Sequence, residues 1–212
     1  MYRLYYSPGT ATFPVHWMLL ELGAPHELVT TDITKGAQKS AEYLKLNPTG
    51  RVPTLVVDGK PYGEVASLLM LLAERHPQAG LGPAPGEAGR ADYLQWMFYL
   101  ANTVQPPFRL SFYPHEAAGE ANAEAAKAEA RAQIEKAWDR VDAQIASGGP
   151  YLLGTHLSAA DFLVTMLMRW SRNMPKPASD WPHIAAYLKM IKAMPSLREQ
   201  HKREGLTDWI DA

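Results

Sequence analysis

The 212-residue sequence predicts a small α/β domain followed by an all-α domain. Three observations carry this reading. Strand-like and helix-like segments alternate through residues 1–78. The stretch "QAGLGPAPGEAG" is rich in Gly, Pro and Ala and reads as a connection, with the linker at 79–87. From 88 to 212 the patterning is helical and no convincing strand occurs.

In chain order, "YRLYY" is a strand by its aromatic and aliphatic content. Thr12 can cap the next helix, Pro14 suits its first turn and Gly23 its C-terminal end. "HELVTTDI" is a second strand, "AEYLKLN" a short helix or turn, and "TLVVDG" a third strand. Asp58-Gly59 predicts a tight hairpin into a short fourth strand, "KPY". "EVASLLMLLAERHP" is a helix that stops at Pro77. After the linker, a helix over Arg90–Asn102 is expected to stop near Pro106-Pro107. A long helix follows in "EANAEAAKAEARAQIEKAWDRVDAQIAS". Its Ile134, Trp138, Val141 and Ile145 form one apolar stripe. "SAADFLVTMLMRW" opens with a capping-box arrangement, Ser158 and Asp161, and is apolar all round, as the central helix of a bundle is. Two short helices are expected around Ile184–Met190 and Pro195–Lys202.

Composition narrows the function. With 47% hydrophobic and 20% charged residues the chain can pack a core and cover a soluble surface. A net charge of −1 argues against a nucleic-acid binder. Apolar runs too short to span a bilayer, and a start without a signal-peptide core, point to a cytoplasmic protein with no membrane partner. There is no cysteine, so no disulfide, thiolate cluster or cysteine nucleophile exists, and a Cys-x-x-Cys oxidoreductase is excluded. Any thiol chemistry needs a thiol that arrives with a substrate. The seven histidines show no metal-ligand spacing.

The most informative stretch is "NPTGRVPTLVVDG". Proline directly before a strand removes a ladder donor and restricts its predecessor. From the residues alone, a trans proline at a strand start is the simpler account. A cis Val52-Pro53 bond is the alternative, and it would leave the Val52 N–H and C=O open to an added extended peptide. "NPTGRVPTL", an acidic residue before "LLMLLAERHP", a linker and a helical domain together resemble the cytosolic glutathione transferases. "YYSPGTATFPVHWMLLELG" resembles the opening of the bacterial, theta/delta/beta-like branches. The likeness runs over essentially the whole chain.

That resemblance implies a thioredoxin-like domain that binds glutathione and a helical domain that supplies the wall for a hydrophobic electrophile. It also implies a cis bond at Pro53, a homodimer and a detoxifying role. Glutathione would be a co-substrate, with no bound cofactor and no metal. Carried over by position, Val52 pairs its main chain with the cysteinyl part, beside Pro53. Glu64 meets the γ-glutamyl ammonium. Val65 stands where the family usually has serine, and losing one neutral hydrogen bond of roughly 0.5–1.5 kcal/mol lowers affinity about tenfold. Gln38 and Arg51 lie toward the glycyl carboxylate, though both also suit a plain surface.

A thiol of pKa ~8.5 is a few per cent thiolate at pH 7, and one good donor lowers it by about two units. The cysteine-type post of the family falls on Ala11, the serine-type on Thr10 and the tyrosine-type on Tyr6. Thr12 is a third candidate. Thr10 is preferred because it follows a Pro-Gly turn and precedes a helix. For the electrophile, "YLANTVQPPFRLSFYP" offers Gln105, Phe108, Arg109, Phe112 and Tyr113, although Phe108 and Phe112 also read as core. His16 and Trp170 are read as structural, and Arg169 and Arg172 as helix-face residues. The expected activity is conjugation of glutathione to an electrophilic carbon. The alternatives are glutathione-dependent isomerisation, dehalogenation or peroxide reduction, and a non-catalytic partner protein.

Overall fold

The structure, a computed structural model, describes residues 1–211. The strands are β1 (Tyr2–Tyr6), β2 (His26–Thr30), β3 (Thr54–Val57) and β4 (Lys60–Tyr62). The helices are α1 (Phe13–Glu21), α2 (Ala41–Leu46), α3 (Val65–Arg75), α4 (Arg90–Tyr99), α5 (Gln105–Phe112), α6 (Pro114–Ala118), α7 (Ala123–Gly148), α8 (Ala159–Trp170), α9 (Pro182–Lys192) and α10 (Pro195–Glu204). Two compact units result: Met1–Ala79 with the segment from Ile191 onward, and Gly80–Met190.

The first unit follows the predicted β-α-β-α-β-β-α order. Its sheet runs β2-β1-β3-β4, with β1 parallel to β2 and antiparallel to β3. Alternation sends Tyr2, Leu4 and Tyr6 to one face of β1 and Arg3 and Tyr5 to the other. Tyr6 accordingly lies 6.1 Å from the His16 ring of α1, and Tyr5 lies 5.9 Å from the Tyr43 ring of α2. Asp58 and Gly59 have φ of 51° and 79°, the positive pair that a two-residue hairpin of the favoured twist needs.

Thr12 stands at the N-cap of α1, as the sequence suggests, yet its hydroxyl makes no cap bond and donates to the Ser7 carbonyl instead, 2.8 Å away. The sequence reading carries the helical domain from 88 to the end, whereas α10 clusters with the first unit. The reason is its face: Leu197, Gln200, His201 and Glu204 are buried at helical spacing and pack on α1. Phe13 meets the His201 ring edge-on at 5.4 Å, and the Trp17 indole N–H donates to Ser196 at 2.9 Å.

In the second unit part of the expected linker is anchored. Leu81 is buried and its carbonyl accepts from Ala159 N–H at 2.7 Å. The chain also does not stop at Pro106-Pro107. A π-helical turn, Leu100–Val104, follows α4, with Gln105 N–H bonded to the Leu100 carbonyl five residues back. That shift starts a new helix, α5, whose first turn holds the prolines, the position where a missing N–H is best tolerated. The stripe Ile134, Trp138, Val141 and Ile145 is buried along α7. Each such side chain contributes roughly 1.5–3 kcal/mol on burial. Arg169 is buried at 2% exposure rather than solvated, because α8 is enclosed from Ala159 to Arg169.

The Ser158–Asp161 capping box is present. The Asp161 carboxylate is fully buried and accepts from Ser158 N–H, Ser158 Oγ, Leu152 N–H and Tyr187 Oη at 2.8–3.1 Å. Burial pushes its pKa up from the ordinary 3.8, against the pull of those donors. Removing the acceptor orphans several buried donors, so Asp161→Ala is expected to lose roughly 3–5 kcal/mol in urea denaturation. The raised folded value also fixes a sign. The stabilisation tied to protonation is complete below about pH 4 and is lost as pH rises toward the folded value. The parent's advantage over Asp161→Asn should therefore shrink upward from pH 4. An advantage that grows over that range would contradict this reading.

Candidate functional site

The site is built around the turn that precedes β3. Asn47 Nδ2 donates to the Arg51 carbonyl at 2.9 Å and to Thr54 Oγ1 at 3.1 Å. Tyr43 Oη donates to the same carbonyl at 2.8 Å and lies 2.8 Å from Thr54 Oγ1. A carbonyl only accepts, so the directions follow: Asn47 donates to Thr54, Thr54 to Tyr43, and Tyr43 to Arg51. Asn47 Oδ1 accepts from Thr49 N–H and Oγ1 at 3.1 and 2.7 Å. Burial pushes the Tyr43 phenol up, which keeps it a neutral donor.

Beyond this fixed carbonyl, Val52-Pro53 is cis. Val52 is half-buried, and among the described residues neither its N–H nor its C=O is hydrogen-bonded. Register places the other parts beside it. Tyr5 pairs with Thr54, the last pair of the antiparallel ladder, so the chain leaving β1 through Tyr6 and Ser7 starts beside the residue that follows Pro53. A Cβ on Gly50, which has φ 59°, would lie 2.8 Å from Lys39 Nζ and 3.2 Å from the Gln38 carbonyl. That segment therefore lies against Gly50, one residue from the exposed Arg51. Gln38 is half-buried and its Oε1 is enclosed without a partner among the described residues.

Gly63 lies against Asn47 Nδ2 and the Pro53 carbonyl, at 3.3 and 3.9 Å from its Cβ position. This brings Glu64 to the same turn. Glu64 has φ 62° and ψ 100°, a conformation L-residues avoid, and it forms the N-cap of α3 without a side-chain cap bond. Such a residue costs on the order of 1–3 kcal/mol and is held in place only by its surroundings. Its carboxylate is exposed, and the first-turn N–H groups of α3 begin beside it. Val65 is buried, so its side chain adds no polar group.

The third component is the Ser7–Thr12 turn. Thr10 and Thr12 hydroxyls donate to the Ser7 carbonyl at 2.7 and 2.8 Å and lie 3.1 Å apart. Thr12 is fully buried, which removes it as a direct donor to a ligand; Thr10 is half-buried. The half-buried Tyr6 phenol has no hydrogen-bond partner among the described residues. His16 is fully buried and its Nδ1 pairs with Glu204 Oε1 at 2.7 Å, a structural role in keeping with the sequence reading. Glu204 Oε2 accepts from Gly9 N–H at 2.8 Å.

In the helical unit, Phe108 is fully buried and meets Phe112, Trp138 and Trp170 at 5.9–6.1 Å. It is core, and its place among ligand-facing residues is withdrawn. Phe112 and Tyr113 are 46% and 42% exposed. The Arg109 guanidinium lies 5.0 Å over the Tyr113 ring and pairs with Glu116, and Gln105 is half-buried. Sequence reasoning missed Asn47, Tyr43 and Glu204. The Asn-Pro-Thr-Gly turn signal could have found the first; nothing local marks the others.

Comparison with known proteins completes the picture. Residues 11–75 match the glutathione S-transferase N-terminal domain model and 124–189 the C-terminal domain model. A glutathione S-transferase, GST-4.5, from Xanthomonas campestris pv. campestris is 28% identical, covering 96% of this chain and 99% of its own. The crystal structure of a glutathione transferase from Methylococcus capsulatus is 31% identical with a TM-score of 0.87, over 97% of this chain and 100% of that one. A Sulfitobacter homologue with bound glutathione is 28% identical with a TM-score of 0.88, over 97% and 99%. The chain belongs to the glutathione S-transferase family.

Proposed function

We propose that this glutathione transferase binds glutathione along the Val52 edge, favours its thiolate at the Ser7–Thr12 turn and adds it to a hydrophobic electrophile. The observation that carries the reading is the convergence on Val52-Pro53 of an open main-chain pair, an exposed carboxylate at a left-handed helix start and a hydroxyl-bearing turn. The Val52 N–H and C=O pair with the cysteinyl peptide unit. Glu64 takes the γ-glutamyl ammonium, and the first-turn N–H groups of α3 take its carboxylate. Gln38 and Arg51 lie toward the glycyl end. Phe112, Tyr113, Arg109 and Gln105 are the electrophile-facing residues of the helical unit.

Thr10 is the main donor to the sulfur. Its proton points at the Ser7 carbonyl, but Thr12 donates to that carbonyl too. Thr10 can turn its proton to a thiolate without leaving the carbonyl bare. The exchange replaces a neutral hydrogen bond with a charge-assisted one about twice as strong. In the reaction the thiol proton leaves to solvent, the C–S bond forms and the electrophile's leaving group departs with its electron pair. The work is nucleophile activation and positioning. Detoxification in the cytoplasm is the setting this activity suits. A homodimer is supported by Phe98 and Tyr62, large apolar side chains 57% and 44% exposed, while Trp96 is itself buried.

The direct test is turnover with glutathione and a panel of electrophiles, together with the pH profile of the bound thiol. Thr10→Val should raise the thiol pKa and slow conjugation roughly ten- to a hundredfold, the effect of one lost donor of about 1.4–2.7 kcal/mol. Tyr6→Phe should stay close to the parent; the reverse pattern transfers the role to Tyr6. Glutathione binding without turnover on any electrophile would favour a binding protein.

Glu64→Ala removes a charge-assisted contact of about 1.5–3 kcal/mol. Calorimetry should show glutathione affinity falling roughly ten- to a hundredfold, and unchanged affinity would remove Glu64 from the site.

Light scattering at micromolar concentration should give twice the 23.5 kDa chain mass. A value at the single-chain mass would rule out the homodimer.

A further inference from the structure

Glu204 sits far along the chain from the Ser7–Thr12 turn yet touches it directly. Its Oε2 accepts from Gly9 N–H at 2.8 Å, between Pro8 and Thr10, and its Oε1 holds His16 Nδ1 at 2.7 Å. Both side chains of that pair are fully buried. The carboxylate thus ties the backbone of the turn to α1, on whose first residues the turn ends. Gly9 sits at φ 67°, and Thr10 N–H bonds to the Ser7 carbonyl at a long 3.4 Å. The turn's own bonds are short in sequence range: Thr10 and Thr12 to Ser7, and Thr12 N–H to Thr10 Oγ1. The Gly9–Glu204 bond fastens it to a distant element, α10. A charged acceptor on a backbone N–H is stronger than these neutral contacts.

We infer that Glu204 is a positioning residue for thiol activation: through Gly9 it fixes where the Thr10 hydroxyl stands relative to the glutathione sulfur, and His16 orients Glu204 from the other side. This rests on the functional reading above, in which the Ser7–Thr12 turn faces the sulfur. The sulfur tolerates little misplacement, because a hydrogen bond weakens steeply with angle and distance. Grip on the rest of glutathione depends on Val52 and Glu64, which belong to other turns. Loss of Glu204 should therefore move thiol acidity and turnover, and leave binding of the peptide skeleton nearly intact.

The experiment compares the parent with Glu204→Leu, Glu204→Gln and Glu204→Asp. It measures the pKa of bound glutathione by its thiolate absorbance, turnover of one electrophile, and the affinity of S-methylglutathione, which has no thiol to ionise. Glu204→Leu keeps the side-chain volume and removes both acceptors. It should raise the thiol pKa by about one unit and lower kcat about tenfold, with S-methylglutathione affinity changed less than threefold. Glu204→Gln keeps an acceptor oxygen for Gly9 and should recover most of the loss. An unchanged thiol pKa in a folded Glu204→Leu protein overturns the inference. So does an equal loss of S-methylglutathione affinity and turnover, the pattern of a general structural support. If Glu204→Leu does not fold, Glu204→Asp decides. Its carboxylate is a methylene too short to span both partners, so it should raise the thiol pKa with S-methylglutathione binding retained. A parent-like pKa there overturns the inference. A parent that binds S-methylglutathione but shows no thiolate with glutathione defeats the activation reading itself, and this inference with it.

Discussion

The Arg51 carbonyl is held from two sides, by the Asn47 amide and the Tyr43 phenol, and both donors are locked by Thr54 at the start of β3. Tyr43, Asn47 and Thr54 are buried. A buried polar network contributes when every member is satisfied, and here the directions close without a spare proton. The consequences spread outward along the backbone. With Arg51 fixed, Val52-Pro53 leaves the turn in one orientation, Gly50 receives Gln38 and Lys39, and Gly63 rests on the amide of Asn47. Glu64, the next residue, starts α3 from φ 62° and ψ 100°.

The opposite wall of the candidate site is fastened differently. The Ser7–Thr12 turn has small side chains and local bonds, and its outside anchor is a carboxylate on α10. That arrangement explains why α10 belongs to the first unit. Its buried face carries Gln200, His201 and Glu204 as well as Leu197, and such groups require partners when they leave water. His16 meets one of them. An apolar α10 could pack on α1 but could not offer a carboxylate to both Gly9 and His16.

The elements of the fold were legible where pattern and turn chemistry agreed. β1 and β4 were readable residue for residue, and β3 up to its turn, because strand composition and Asp58-Gly59 pointed the same way. The Ser158–Asp161 capping box and the α7 stripe were legible for the same reason. The prolines at 106 and 107 misled, since a helix can pass them by shifting its hydrogen bonds one residue, and no propensity records that shift. Phe108 misled in the other direction: i, i+4 aromatics fit both a core and a ligand wall, and only packing against Trp138 and Trp170 decides. In the site, Val52-Pro53 and Glu64 were legible as a motif, but the backbone at Glu64 was not. Long-range polar contacts such as Gly9–Glu204, 195 residues apart, leave no trace in local sequence.

The absence of cysteine gives these details a common meaning. A protein that supplies no thiol can act on a bound one by favouring its anion as well as by positioning it. Two units of thiol acidity amount to roughly 2.7 kcal/mol, within reach of one charge-assisted hydrogen bond set in a partly desolvated turn. Such a bond delivers that much only when its donor is already in place, because freezing a loose hydroxyl and its backbone would consume most of the gain. The shared acceptor at Ser7 leaves Thr10 free to turn, while Glu204 keeps its backbone from moving. Rotational freedom at the hydroxyl combined with rigidity beneath it is what a neutral donor needs to hold a thiolate.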